Sequence, residues 1–115
     1  MKDFVNEIQY KNNTYVLVFN LNVMEAIQQE YGTIEKWGEL TDGDAGEPDA
    51  KAIIFGFREM LNEGIDIENE EQGTDKPFLS LKQVGRIISE IGFENATTAL
   101  NDTVVESTKS EEKNE

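Results

Sequence analysis

The chain has no histidine and no cysteine among its 115 residues. Without cysteine it has no disulfide bond, no thiolate nucleophile and no thiolate ligand for zinc. Without histidine it also lacks the commonest general base and the commonest transition-metal ligand. These two absences exclude most hydrolase triads and most zinc enzymes.

Positive charge is scarce, since 10 basic residues stand against 24 acidic ones and the formal net charge is −14. A surface this negative repels phosphate backbones and anionic lipids, so we expect neither nucleic acid nor a membrane as partner. It favours basic or neutral protein partners, although the acidity also suits a role in solubility alone.

Long apolar runs are absent as well. No run approaches the roughly 20 residues needed to cross a bilayer. The start of the chain, MKDFVNEIQY, lacks the apolar region of a signal peptide. We therefore expect a cytoplasmic protein.

The apolar pattern predicts one α+β domain over residues 1–105, in which an N-terminal β-hairpin is packed by about four helices. Strands are expected at Phe4–Gln9 and Tyr15–Asn20. Asn12-Asn13 suits the tip of the turn between them, because asparagine tolerates positive φ.

Helical spacing of apolar residues, together with start and stop signals, predicts the helices. Asn22 with Glu25, and Ser80 with Gln83, have the spacing of capping boxes. Gly64 has the position of a helix stop. The predicted helices are Val23–Tyr31, Ile34–Leu40, Pro48–Asn62, Leu81–Ile91 and Phe93–Val105.

The remaining segments are polar and acidic. The segments TDGDAGEPDA (residues 41–50) and EGIDIENEEQGTDKP (residues 63–77) are predicted loops, because they are rich in acidic residues and in glycine. The first loop runs into the predicted helix start at about Pro48. Residues 106–115 contain no apolar side chain and are predicted to form a disordered tail.

No acidic cluster has the pattern of a metal site or an active site. The segment that begins at Asp42 differs from the twelve-residue calcium loop of an EF-hand. It has Gly46 at the fifth position, which needs a ligand, Glu47 at the sixth, which needs glycine, and Ile53 at the twelfth, which needs glutamate. The crowded acidic side chains of the second loop are expected to be solvated and not to bind a metal ion, because ordering a flexible loop around an ion costs conformational entropy. No carboxylate is expected in a dry pocket, so we expect no metal, no cofactor and no enzymatic activity.

Phe55 and Trp37 are the candidate partner-binding residues. Phe55 is predicted to lie opposite the apolar stripe of its helix, on the side of Ala52 and Glu59. Exposed aromatic residues are enriched in protein interfaces. For both residues the alternative is burial in the core, and for Trp37 the core is favoured.

The order of elements resembles that of the tail assembly chaperones of long-tailed phages and of prophages in Gram-positive bacteria. The resemblance lies in LVFNLNVMEAIQQEYGTIEKW, AKAIIFGFREMLNEG and LSLKQVGRIISEIGFENATTAL. It implies a non-enzymatic chaperone in the host cytoplasm. Such chaperones bind the tape measure protein and the tail tube protein during tail assembly and leave before the virion is complete.

The family often makes a longer product by ribosomal frameshifting. The codons of Glu112-Lys113-Asn114 could contain an A-rich slippery run. The codons of Lys11-Asn12 could contain a similar run, but a frameshift at that position would have no use. We hypothesise a frameshift near the end of the chain, which the nucleotide sequence tests directly.

The alternative function is an acidic DNA-mimic inhibitor or another protein-binding regulator. A DNA mimic needs its acids spaced like phosphates on one rigid face. Ten acids are predicted to lie in the two loops instead, which argues against a DNA mimic.

Overall fold

A computed structural model describes the backbone of residues 7–42 and 47–113 and the side chains up to residue 107. Over these residues the fold is α+β, as predicted, with a two-stranded antiparallel hairpin and five helices. Five helical segments were predicted, although only about four helices were expected to pack the hairpin. The elements are β1 (Glu7–Tyr10), β2 (Asn13–Val16), α1 (Leu21–Tyr31), α2 (Ile34–Asp42), α3 (Ala50–Gln72), α4 (Leu81–Ile91) and α5 (Phe93–Lys113).

The hairpin turns one residue earlier than predicted. Tyr10 lies opposite Asn13 in the strand register, so Lys11 and Asn12 form the turn. Their φ angles are 50° and 67°. A two-residue turn of type I′ requires positive φ at both central residues, which matches the right-handed twist of the strands.

The second strand is shorter than predicted, because the chain leaves the hairpin after Val16 to cross α3. The backbone N–H of Val18 donates to the carbonyl of Met60, at 3.3 Å. The carbonyl of Val16 lies against Gly64, in space that a side chain there would occupy. Residues 17–20 are therefore held by a helix and not by a strand. Of the predicted first strand, residues 4–6 lie outside the described residues.

Helix α1 begins at a different asparagine from the one predicted. Asn20 has an extended backbone and accepts a hydrogen bond from the N–H of Val23 through its side chain, at 3.2 Å. Asn22 is already inside the helix, so it does not form the predicted capping box with Glu25. The predicted end at Gly32 is confirmed.

Helix α3 is much longer than predicted. Asp49 caps its start and Gly73 ends it in the left-handed conformation, at φ 69°. Gly64 is therefore an interior residue, and the predicted acidic loop is helical as far as Gln72. Glycine is required at position 64 by the close approach of β2 rather than by a helix end. Buried Ile65 keeps the second half of the helix against the core.

Helix α4 has the predicted boundaries. The capping box between Ser80 and Gln83 is present with both of its hydrogen bonds, and Gly92 ends the helix. The segment before it folds back along α3, where the Asn62 side chain donates to the carbonyl of Leu79 and accepts from its N–H. Helices α3 and α4 are consequently antiparallel.

Helix α5 runs beyond the predicted end at Val105. Its backbone is helical to Lys113, where a disordered tail from residue 106 was expected, and residues 114–115 lie outside the described part. The Ser107 hydroxyl donates to the carbonyl of Phe19, at 3.2 Å. Extending a formed helix avoids the cost of nucleation, which favours its continuation into the polar residues after Val105.

The core surrounds α3, which contacts β2 and each of the other four helices. Large side chains fully buried within it come from the segment after β2 and from α1, α3 and α4. They are Leu17, Val23, Ile27, Ile53, Phe57, Met60, Leu61, Val84 and Ile87.

Candidate partner-binding groove

A broad groove of about 1180 Å³ lies between α3 and α4. The tip of the hairpin and the end of α1 complete its walls. Its lining residues are Tyr10, Glu30, Lys51, Ile54, Phe55, Arg58, Leu81, Lys82, Gly85, Arg86, Ser89 and Glu90.

One face of α3 forms the first wall. Lys51, Ile54, Phe55 and Arg58 have the spacing i, i+3, i+4 and i+7, which places them together on a helix surface. The apolar pair lies in the middle and a basic residue lies at each end. This face combines an apolar centre with cationic ends.

One face of α4 forms the opposite wall. Leu81 is 47% exposed, although the sequence predicted that it is buried. A Cβ added at Gly85 would meet the Ile54 side chain at 3.7 Å, so Gly85 lies opposite the centre of the α3 face. Because Gly85 has no side chain, Ile54 remains partly accessible at the floor of the groove.

The Phe55 ring is held in place at the centre of the groove and is half-buried. It meets the Tyr31 ring edge to face, with centroids 5.7 Å apart and planes at 74°. The Arg58 guanidinium lies 5.8 Å from the centre of the Phe55 ring. Phe55 thus lines the groove beside Ile54, which is also partly buried, and does not lie alone on the opposite side of α3.

The Tyr31 side chain, whose ring contacts Phe55, has a buried hydroxyl group. Its hydroxyl oxygen is buried and has no hydrogen-bond partner among the described residues, and neither does the Nε atom of Arg58. Burial raises the pKa of Tyr31, and the nearby carboxylates of Asp49 and Glu30 raise it further. The hydroxyl group of Tyr31 therefore stays protonated to a higher pH than that of an ordinary tyrosine.

The groove concentrates positive charge on an acidic protein. Four of the ten basic residues line it, together with only two acidic ones, Glu30 and Glu90. Arg58 is paired with Glu59, at 2.8 Å. The other three basic lining residues form no ion pair with the described residues; they are Lys51, Lys82 and Arg86.

The basic residues are dispersed along the sequence, and the fold gathers four of them at the groove. The signal was present in KAIIFGFR and LKQVGR, where basic residues flank apolar ones at helical spacing. Only the packing of α3 against α4 brings the two segments together.

Trp37 does not lie in this groove. Its side chain is 2% exposed, and its indole N–H donates to the carbonyl of Ala52 at 3.0 Å. It also lines a smaller depression of about 420 Å³ between α2 and α5. The structure therefore separates the two predicted partner-binding residues and gives Trp37 a place in the core.

The acidic clusters form no metal site in the described part of the chain, where no group of three potential ligands is positioned to hold a metal ion. Glu68, Glu70 and Glu71 lie on α3, and Glu68 pairs with Lys76. Within the predicted first acidic loop, residues 43–46 lie outside the described residues. No helix over residues 7–42 and 47–113 has the length and apolarity needed to span a membrane.

Comparison with known proteins assigns no family. No family model, no curated protein and no solved structure matches the chain.

Proposed function

We propose that this chain is a non-enzymatic tail assembly chaperone of a long-tailed phage or prophage, which binds the tape measure protein, the tail tube protein or both in the host cytoplasm. The observation that carries the proposal is the groove, where a prearranged aromatic ring lies between apolar and basic side chains. Such a surface suits protein binding, because rigid aromatic residues and arginine are enriched among binding hot spots.

The composition supports the same proposal. The chain lacks the histidine and cysteine side chains on which most acid–base and nucleophilic catalysis depends. Its net charge of −14 favours solubility while an apolar groove is exposed. A chaperone that shields an aggregation-prone partner needs an apolar contact surface and also enough charge to stay in solution.

Capture of the partner tests the proposal. The chain is co-expressed with the tape measure and tail tube proteins encoded by neighbouring genes, and the complex is isolated through a tag on the chain. We expect retention of at least one of these proteins. Failure to retain either of them would overturn the assignment as a tail assembly chaperone.

Substitutions in the groove locate the contact. Phe55→Asp and Leu81→Asp place a charge in the apolar centre, and we expect each to weaken capture by about tenfold or more. Phe78→Asp is the matched control, because Phe78 is 57% exposed and does not line the groove. Circular dichroism shows whether each variant is folded. Normal capture by folded Phe55→Asp and Leu81→Asp would remove the groove as the contact surface.

The acidic DNA-mimic inhibitor remains a second candidate because of one observation. Five of the six acids in residues 63–75 lie on α3 and not in a flexible loop, so the argument raised against a rigid acidic face no longer holds for them. This candidate predicts a DNA-binding partner whose affinity falls steeply with salt. It also predicts that Glu70→Gln with Glu71→Gln weakens binding while Phe55→Asp does not. The reverse pattern would exclude it.

A further inference from the structure

We infer that the groove between α3 and α4 binds an acidic amphipathic helix of the partner protein. The inference deepens the proposed function and depends on it for the claim that the occupant is a polypeptide. The shape of the groove, its charge and its length each point to this occupant.

The shape suits a helix because two antiparallel helix faces form the walls. A third helix laid along such walls places apolar residues at i, i+3, i+4 and i+7 against the floor. Phe55, Ile54 and Leu81 supply apolar surface in the groove, and Gly85 leaves room above Ile54. The bound helix would continue the packing of helices around α3.

The charge of the groove selects an acidic helix. Lys51, Lys82 and Arg86 are exposed and have no acidic partner among the described residues. Glutamate or aspartate residues beside the apolar stripe of the bound helix would pair with them. Opposite charges across an interface steer association and select partners. On a chain of net charge −14, these residues provide a local attraction for an acidic segment that the rest of the surface repels.

The length of the groove favours a short helical segment over nucleic acid. From Leu81 to Glu90 the α4 wall rises by about 14 Å, at roughly 1.5 Å per residue, which matches about nine or ten residues of a helix. A nucleic-acid strand would run past the groove onto the acidic surface, where its phosphates are repelled.

An unbiased peptide selection tests this inference without assuming the identity of the partner. A display library of random 15-residue peptides is selected on the full-length chain, and enriched peptides are synthesised with a fluorescein label. We expect sequences with apolar residues at helical spacing and a net negative charge. Their circular dichroism should show a gain of helix on binding. Enrichment of basic, neutral or proline-rich peptides, or no enrichment, would overturn the inference.

A matched pair of variants locates the binding of the strongest peptide. Arg86→Glu and Lys36→Glu each lower the net charge by two, and both residues are exposed on helices without an ion pair in the described chain. Only Arg86 lines the groove. Fluorescence anisotropy should show about tenfold weaker binding for Arg86→Glu and less than about twofold change for Lys36→Glu. Equal losses would mean that net charge alone attracts the peptide.

Two further measurements cover the other occupants. A labelled single-stranded oligonucleotide that binds more tightly than the peptide, and that loses affinity with Arg86→Glu, would assign the groove to nucleic acid. A dimer in light scattering that Phe55→Asp converts to a monomer would assign it to a second copy of the chain. Selection of acidic helices without capture of tail proteins would retain the inference about the groove and overturn only the chaperone assignment.

Discussion

The indole ring of Trp37 occupies the space that a side chain at Gly56 would need. A Cβ built at Gly56 would come within 3.0 Å of the indole Cε2 atom and 3.2 Å of Nε1. The same indole N–H donates to the carbonyl of Ala52, one turn earlier on α3. Helices α2 and α3 are thus joined through a ring that lies directly on a helix backbone.

Gly56→Ala should destabilise the fold for this reason. The added methyl group must displace a buried, rigid ring, and such overpacking costs about 1–3 kcal/mol in the free energy of unfolding. Urea denaturation followed by Trp37 fluorescence measures the change. Gly38→Ala is the control, because a Cβ at Gly38 meets nothing within 4 Å and alanine raises helix stability by up to about 1 kcal/mol. A stabilised Gly56→Ala variant would contradict this packing.

Gly64→Ala tests whether α3 continues through residues 63–72. In the structure the methyl group would meet the backbone carbonyl of Val16, which cannot rotate away as a side chain can, so we expect a loss of about 2 kcal/mol or more. At a helix stop with positive φ, as the sequence predicted, the same change would cost only about 1 kcal/mol. Asp66→Ala is the control within the same helix. Asp66 is exposed, and alanine there should stabilise the helix by up to about 0.7 kcal/mol.

Asn20→Ala and Asn22→Ala should separate the true cap of α1 from the predicted one. Asn20 caps the helix and also donates to the Glu63 carboxylate at 2.8 Å, so its loss should cost about 1–2 kcal/mol. Asn22 only donates to the same carboxylate from an exposed position, where water can replace the bond, so its loss should cost less than the loss of Asn20. Thermal unfolding of both variants decides the order. A larger loss for Asn22→Ala would restore the predicted cap.

Tyr31→Phe should be neutral or stabilising near pH 7. The substitution removes a buried hydroxyl without a partner among the described residues and keeps the ring against Phe55, so we expect a gain of up to about 1 kcal/mol. A loss of more than this amount in urea denaturation would show that the hydroxyl group has a stabilising role.

The same variant should also change the response to alkaline pH. Burial and two carboxylates raise the folded-state pKa of Tyr31 above its ordinary value of 10.0. The folded state therefore holds the Tyr31 proton more tightly than the unfolded state does. The resulting contribution to the free energy of unfolding is fully present below the unfolded pKa and is lost as the pH rises through the folded pKa. As the pH rises from about 9 through the ordinary tyrosine pKa and beyond, the wild type should lose more stability than Tyr31→Phe. Parallel loss in both proteins would contradict the raised pKa.

Local chemistry made several features predictable from the sequence. The Ser80–Gln83 capping box and the helix stops at Gly32 and Gly92 depend on residues within one turn of each other. The buried faces of α1 and α4 follow from apolar residues that recur every three or four positions, which is also a short-range pattern. The type of most elements, and the α+β class, could be predicted for this reason.

Features that depend on distant contacts could not be predicted. Gly64 has the local appearance of a helix stop, and only the crossing of β2 explains it as an interior residue. Asn20 and Asn22 are equally good caps by residue type. The side chain of Asn20 became the cap, while Glu63, more than 40 residues away, holds the side chains of both asparagines.

Composition and short-range periodicity carry the acidity of the chain, its lack of histidine and cysteine, and most of the apolar stripes that its helices bury. The place where the basic residues gather depends on long-range packing. The groove needs α3 and α4 to lie antiparallel, with Gly85 opposite Ile54 and Phe55 resting on Tyr31. These relationships join residues more than 20 positions apart, and packing, not local propensity, brings them together.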